Sequence, residues 1–418
     1  MKKYILSISL LLAGLTAQAQ MKWTLRQCID YAIENNIEIR QQEIKVKSSE
    51  VDLSTSRNSR LPDLNADLGQ NFSFGRSTSG SNVSESVNSA RTSFGISTSV
   101  PIFTGFRIPN EIKRNELSLL AATEGLNKAK DNMSLKVTSY YLEVLFKKEI
   151  LKVYQEQADL SRFQVERTQD LVDAGKVPES QLYDIKAQLA KDELNITTAD
   201  NNLQLELLNL SQALNLQNNA GFDIVEPELS NVISDNLSSI LPPEQVYQRA
   251  LVVKPHVKEA EYNLESSKKS LKVAQAGYLP SLNLGAGYTT SYYRTSGQSN
   301  PSFSKQIKDF GSEYISLSLS IHIFNRFKTR NQVRSARLTI ENQSLILDNV
   351  KLALYKEIQQ AYQSAVAAHS KFTSTERALD AAQESFKYAR ERYEVGKSWV
   401  FEFNEAQTKL LSSKSEQI

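Results

Sequence analysis

Three histidines and one cysteine are the side chains best suited to metal ligation or nucleophilic chemistry: His256, His322, His369 and Cys28. Imidazole and thiolate build transition-metal sites when they recur at short spacings, and a thiolate activated by an imidazole is a nucleophile. Neither pattern is present. The histidines fall in a helix start, a strand and a long helix, with no ligand spacing among them. Cys28 has no histidine near it in sequence and, as the single cysteine, no internal disulfide partner. The glycines form no phosphate-binding loop. The many carboxylates lie along helices, where a charged face is usually solvated. The expectation is a protein without catalysis, without a cofactor and without a metal site.

The chain must therefore act through its architecture. It has 418 residues, too many for one ordinary compact domain. Residues 1–19 read as a signal peptide. Lys2 and Lys3 open it, Ile5 to Leu15 are largely apolar, and Ala17-Gln18-Ala19 is a small-residue cleavage site. The mature chain is expected to begin at Gln20. A cytoplasmic protein with an apolar N-terminal helix is the competing reading. Without Lys2 and Lys3 the 49 basic residues become 47, equal to the 47 acidic ones. Such a balance gives no reason to expect a nucleic-acid partner. Cys28 lies inside the mature chain, in a setting without the small residues of a lipoprotein signal, so no lipid anchor is expected at it.

Past the leader, the sequence is written twice. Leu61-Pro62-Asp63-Leu64-Asn65 recurs in the second half as Leu279-Pro280-Ser281-Leu282-Asn283. At a nearly identical offset, Ile102-Phe103 recurs as Ile323-Phe324 and Gly175-Lys176 as Gly396-Lys397. Repeats of solenoids are far shorter, about 20–50 residues, so this is a duplication of one large unit. The expected division is residues 20–216, an irregular joining segment over 217–243, and residues 244–418.

Each copy changes period from helix to strand and back. Leu25 to about Arg60 carries Ile29, Ile33, Ile37 and Ile44 at helical spacing, with Thr24 placed to cap it. Strands follow at about 63–75 and 91–103, and in the second copy at about 281–293 and 312–324. In Phe94, Ile96, Val100 and Ile102 the apolar set alternates with Ser93, Gly95, Ser97 and Ser99. Ile315, Leu317, Leu319 and Ile321 alternate with Ser316, Ser318 and Ser320. Such strands are long enough to cross a bilayer at a tilt, with lipid on one face and water on the other. A soluble β-sandwich gives the same alternation. Four strands cannot close a barrel, and an open edge in lipid strands its amides, so membrane strands would require oligomerisation. The segments Arg76 to Ala90 and Arg294 to Gly311, rich in Ser, Asn, Gly and Thr, read as exposed hairpin loops.

The helices are too long for a globule. No proline stands between Pro109 and Pro178, and Leu119, Ala122, Leu126, Ala129, Met133, Val137, Tyr140 and Val144 form a narrow stripe. Helices are expected at about 107–173 and 178–214, the first about 100 Å long at 1.5 Å per residue. The second copy repeats this from about 327 to 394. By symmetry with the first copy its last helix, after Gly396, is expected to run about 15–20 residues past Ile418, so either the sequence is truncated or this helix is unusually short.

Taken together, the duplicated Leu-Pro-x-Leu before a strand, the small/apolar strand pairs, the turn Arg392-Tyr393-Glu394-Val395-Gly396 and the later Glu405-Ala406-Gln407 resemble the TolC family of outer-membrane efflux and secretion channels. The resemblance spans nearly all of the mature chain. It implies a mainly α fold with membrane β: two tandem repeats of helix, β-hairpin and long helical hairpin. Three copies would form a 12-stranded β-barrel and an α-helical periplasmic tunnel. It also implies a homotrimer in the lipid of a Gram-negative outer membrane. Its partners would be a periplasmic adaptor (membrane fusion protein) and, through it, an inner-membrane transporter of the RND or ABC type. The channel would be a passive exit duct of an efflux pump or type I secretion system.

The resemblance further implies an entrance. Family members carry acids six and nine residues past the second-copy turn glycine, and here those positions are Glu402 and Glu405. Three copies would ring the constriction with six carboxylates, favouring cations and able to hold a divalent ion. Tyr393 matches a position that ties neighbouring helices shut. The first-repeat equivalents are Gln181 and Asp184, so the ring would differ between the copies. The turns Gly175-Lys176 and Gly396-Lys397 are where an adaptor hairpin would settle, although many family members have an apolar residue in place of each lysine. For these acids the bland reading is an ordinary solvated helix face, and for Tyr393 coiled-coil packing. A secreted trimeric coiled-coil structural protein remains the alternative for the whole chain.

Overall fold

In a computed structural model the described residues are 22–78, 84–86, 88–217, 221–227 and 241–418. The expected leader and most of the joining segment lie outside them. In the first half the elements are β1 (Lys22–Trp23), α1 (Leu25–Asn35), α2 (Ile37–Asn58), β2 (Asn65–Ser73), β3 (Arg76–Thr78), β4 (Ser84–Ser86), β5 (Ser89–Phe103), α3 (Arg107–Asp173) and α4 (Glu179–Ala213). After β6 (Asp223–Ile224), the second half has α5 (Pro243–Val253), α6 (Pro255–Gln275), β7 (Ser281–Thr295), α7 (Phe303–Asp309), β8 (Ser312–Ser320), α8 (Lys328–Glu394) and α9 (Val400–Gln417).

The chain divides into two compact units. One, the helical unit, comprises Met1–Glu43, Leu126–Val253 and Leu352–Ile418. The other, the strand-bearing unit, comprises Ile44–Gly125 and Lys254–Lys351. The 67-residue helices α3 and α8 contribute to both.

In the helical unit, Thr24 caps α1 with a reciprocal box. Its hydroxyl accepts from the Gln27 N–H at 3.3 Å, and the Gln27 side chain accepts from the Thr24 N–H at 2.9 Å. The single helix expected from Leu25 to Arg60 is two helices, because Asn36 leaves helical geometry between them. Asn36 has a reason to do so. Its Oδ1 accepts from the Glu38 N–H at 2.8 Å, opening α2, and its Nδ2 donates to the Ala213 carbonyl at 2.9 Å, satisfying the end of α4. The core beneath contains Cys28, Ala32, Met133, Val137, Tyr141, Leu203, Leu210 and Ile224. Burial of each large apolar side chain contributes about 1.5–3 kcal/mol.

The strand-bearing unit is built on one antiparallel sheet in the order β2-β5-β7-β8. Each hairpin supplies an edge strand and a central strand, and the two hairpins join through β5 and β7. The register aligns the two faces across all four strands. Ala66, Ile96, Tyr288 and, at the end of β8, Glu313 stand in one row, Val100, Leu284 and Leu317 in another, and Thr98, Ala286 and Ile315 in a third. On the opposite face the rows are Asn65, Ser97, Gly287 and Tyr314, or Ser99, Gly285 and Ser316. Pro101 is tolerated in a central strand because a bulge falls between it and Phe103.

Two expectations about this unit need correction. The strand placed at 312–324 ends at Ser320, which leaves His322 outside it. The segment Arg294 to Gly311 is not a bare exposed loop. It contains α7, whose Gln306 is fully buried and acts as a backbone surrogate. Gln306 accepts from the Tyr293 N–H at 2.9 Å and donates to the carbonyls of Tyr293 and Pro301 at 2.9 and 2.8 Å. In the other hairpin loop, β3 and β4 pair with each other; residues 79–83 and 87 lie outside the described set.

The corner from strand to long helix is duplicated in detail. Gly105 and Phe106 have φ of +63° and +65°, and their counterparts in the second repeat, Arg326 and Phe327, have +55° and +61°. Phe103 meets Phe106 edge to face at 5.3 Å, and Phe324 meets Phe327 at 5.4 Å. Arg326 shows that the left-handed backbone alone does not demand glycine; at 105 the reason is steric. A Cβ there would stand 2.7 Å from the Ala276 carbonyl oxygen.

Candidate functional site

The two helical hairpins of the helical unit end in the same local structure. At the first, the Lys176 N–H donates to the Leu171 carbonyl at 2.9 Å and the Gly175 N–H to that of Val172 at 2.8 Å. At the second, Lys397 donates to Arg392 at 2.9 Å and Gly396 to Tyr393 at 3.1 Å. Both are Schellman caps, which satisfy the last helical carbonyls through a left-handed residue after the helix. Gly175 and Gly396 supply it with φ of +67° and +71°. Pro178 then opens α4 and Trp399 precedes α9.

The turns lie together. One groove of about 590 Å³ is lined by Leu171, Lys176, Val177 and Gln181 from the first hairpin and by Tyr393, Glu394, Gly396, Lys397, Ser398 and Trp399 from the second. Of the expected site residues, it holds Lys176, Gly396 and Lys397 together with Gln181 and Tyr393. Gly175 adjoins Lys176 in the first turn. Asp184, Glu402 and Glu405 are not part of its lining. All three are exposed.

Glu402 is held from two sides. Ser398 Oγ donates to its Oε2 at 2.6 Å, and Arg392 Nη2 stands 3.6 Å from the same oxygen. Both side chains of this ion pair are largely exposed, so its contribution is at most about 1 kcal/mol. Glu405 lies one turn further along the helix. Tyr393 is half-buried, and its ring stacks on Phe403 at 5.1 Å with the planes 29° apart. Phe403 also meets Phe386 at 5.5 Å and is almost fully buried. Glu394 is bound by Arg390 at 3.1 Å and by Arg167 of the first hairpin at 3.3 Å. Sequence reasoning gave no site role to Arg392, Ser398, Phe403 or Arg167. The signal for the first two was present, since each stands within ten residues of Glu402.

Exposed apolar groups mark both units. Val395, Trp399 and Phe401 crowd the second hairpin tip, with Trp399 75 % exposed. On the sheet, Leu68, Ile315, Leu317 and Leu319 project from the edge strands, Ile315 being 82 % exposed. Among the described residues no helix is long and apolar enough to cross a membrane. Among them, too, no group of three His, Cys, Asp or Glu side chains is arranged to hold a metal ion. Burial pushes the Cys28 thiol up to about 11, despite an opposing backbone hydrogen bond.

Known proteins match this architecture along its whole length. The chain is 22 % identical to the outer membrane protein TolC of Escherichia coli K12 over 425 residues, covering 100 % of the chain and 83 % of that protein. It is also 22 % identical to the cation efflux system protein CusC of Escherichia coli O157:H7 over 398 residues, 93 % of the chain and 81 % of CusC. A crystal structure of CusC superposes with a TM-score of 0.79 at 18 % identity, over 94 % of this chain and 88 % of that one. The Campylobacter jejuni CmeC outer membrane channel gives 0.77 at 16 %, over 94 % and 81 %. The sequence profile of outer membrane efflux proteins matches residues 28–216 and 246–418, one stretch in each repeat. The chain belongs to the outer membrane efflux protein family.

Proposed function

We propose that three copies of this chain close one twelve-stranded β-barrel in the outer membrane of a Gram-negative bacterium, continued by an α-helical tunnel through the periplasm. The assembly is a passive exit duct, and an inner-membrane pump supplies the energy. The observation that carries this is the four-stranded sheet. It has one largely apolar face, one face rich in Gly, Ser and Asn, and two edge strands, β2 and β8, each with a neighbour on one side only. In lipid, unpaired edge amides cost several kcal/mol each, and closure removes them. Edge β2 of one copy meeting β8 of the next achieves it. The number three follows the family.

Family channels work with a periplasmic adaptor and an inner-membrane transporter, here of the RND or ABC type. The groove that gathers Lys176, Gly396 and Lys397, with Gly175 beside it, supports docking of an adaptor hairpin there, through contacts more polar than an apolar turn would give. At the periplasmic entrance we assign Glu402 and Glu405 as the acidic ring and Tyr393 as a latch on its helix. Gln181 and Asp184 are the weaker first-repeat counterparts. Support for the ring is the exposure of both glutamates and the Arg392 contact that orients Glu402. The alternative of a secreted coiled-coil structural protein loses its footing with the family assignment.

Planar bilayers test the entrance. Glu402→Ala combined with Glu405→Ala should lower cation selectivity while the channel still inserts. Selectivity equal to that of the wild type removes these residues from the gate. Detergent extraction followed by mass measurement tests the assembly, for which a monomer is the contrary result.

A further inference from the structure

We propose that Arg330, Arg334 and Arg337 form a binding site for the phosphate of an anionic phospholipid. The site lies at the strand-to-helix corner of the second repeat. The inference rests on the reading of the sheet as membrane-embedded. It adds a lipid-specific site to that reading.

The stretch from Ile321 to Ile340 holds five basic residues, Arg326, Lys328, Arg330, Arg334 and Arg337, and no acid. Spacings of four and three put the last three on one face of α8. All three are exposed, and none enters an ion pair among the described residues. They share a concavity of about 560 Å³ with Tyr278, Phe327 and Asn331. The Arg330 guanidinium lies 5.8 Å from the centre of the Phe327 ring, which holds it beside the aromatic corner.

The duplication supplies an internal control. At the equivalent positions of the first repeat, Pro109, Lys113 and Glu116 stand in place of the three arginines. There acids stand among the bases and pair with them. Arg107 pairs with Glu111 at 3.1 Å, while Lys113 and Arg57 pair with Glu116 at 2.8 and 3.2 Å. The fold builds the same corner, with the same left-handed pair and the same aromatic contact, without an arginine cluster. The cluster is therefore not needed to make the corner, and its charge is left for something outside the protomer.

The chemistry favours a lipid phosphate. Guanidinium forks match phosphate oxygens bidentately. Basic groups gathered with aromatic rings where a membrane segment ends are the pattern that holds anionic headgroups. This corner immediately follows β8, and Ile323 and Phe324 beside it are among the most exposed apolar side chains of the chain. A headgroup seated on the arginines would leave its acyl chains along the apolar face of the sheet.

The test uses the full-length channel in nanodiscs of phosphatidylcholine carrying graded phosphatidylglycerol or cardiolipin, with native mass spectrometry to count retained lipids. The wild type should retain the anionic lipids over phosphatidylcholine. The triple variant R330Q/R334Q/R337Q should insert equally and retain them about thirtyfold less, each basic group contributing on the order of a fewfold near an anionic surface. Arg334→Gln alone, on an exposed helix face, should lose about threefold by the same rule and serves if the triple variant does not fold. Equal retention by the variants overturns the site. Displacement of the lipid by millimolar inorganic phosphate also overturns it, by showing a free-anion site. Dissociation of the variant assembly with lipid retention intact overturns it as well, by showing a contact between copies. A wild-type chain that enters no nanodisc of any composition sinks the membrane reading itself, which separates that failure from the others.

Discussion

Ser161 donates a 2.6 Å hydrogen bond to Asp192, a carboxylate only 1 % exposed inside the helical unit. Gln188 donates to its other oxygen at 3.0 Å, and Gln407 of α9 donates to the Ser161 hydroxyl at 3.4 Å. The chain of donors joins α3, α4 and α9. A buried carboxylate without donors is costly, and an interior polar layer fixes helix register at some expense in stability. Ser161→Ala should therefore lower stability by about 1.5–3 kcal/mol, the usual contribution of a hydrogen bond to a charged group. Asp192→Asn keeps an acceptor for Ser161 and removes the buried charge, so its loss should be smaller. Urea titration of the detergent-solubilised protein, followed by far-UV circular dichroism, compares the two. Equal losses would contradict this account.

The glycines divide by what surrounds them. At Gly396 a Cβ would meet nothing within 4 Å, so Gly396→Ala costs only the left-handed backbone, about 1–2 kcal/mol. Gly396→Asn should recover part of that, because asparagine tolerates the region better. Gly175→Ala should behave as Gly396→Ala does, since its surroundings are equally open. Gly105→Ala adds to the backbone cost a collision with the Ala276 carbonyl and should be the most damaging of these changes. Thermal unfolding and membrane-fraction yield rank them. Gly105→Ala matching Gly396→Ala would show that the corner can relax.

Much of this fold was legible because it repeats. Two copies of a strand pair and a long amphipathic stripe give each expectation a second chance to be checked, and turn glycines leave a plain mark. What stayed hidden depends on single side chains acting at a distance. Asn36 breaks a helix whose apolar period continues past it, because its partner Ala213 lies 177 residues away. Gln306 folds a Ser- and Asn-rich segment that looks like any exposed loop. Asp192 carried a readable clue. It falls at the heptad position between Leu189 and Ile196, on the buried side of α4, where a charged residue needs a partner. Of the candidate site, the turn residues and the acids past Gly396 could be named by position, but the roles of Phe403 and Arg167 emerge only when the helices pack.

Cys28 should be inert in the folded protein. It is fully buried, and with its thiol at about 11 the thiolate fraction near pH 8 is on the order of one in a thousand. Maleimide should label it only after unfolding in guanidinium. Prompt labelling under native conditions would mean that α1 opens readily from the core.

Asp223 predicts the acid response of the helical unit. Burial alone would raise its pKa. The Lys148 ammonium at 2.6 Å, the Ile224 N–H at 2.8 Å and Lys22 at 3.7 Å outweigh that and hold the carboxyl below its ordinary range. A carboxyl with a lower pKa in the folded state binds protons more readily when unfolded. Its contribution is therefore complete above the ordinary carboxylate pKa of about 4 and fades as pH falls through the lower folded value. Asp223→Asn cannot titrate. It should be less stable than the wild type by about 1 kcal/mol at pH 7, because the pair is only partly shielded from water. The gap should close as pH falls below the ordinary carboxylate pKa of about 4 and the wild-type carboxyl takes up its proton. Lys148→Met should also show a deficit at neutral pH, since it removes the nearest cation from Asp223 together with the Lys148 contacts to Glu226 and the Ile224 carbonyl. Stability measured against pH for the three proteins decides the matter. A deficit that persists unchanged at pH 2 would assign the loss to packing of the β1–β6 pair, not to charge.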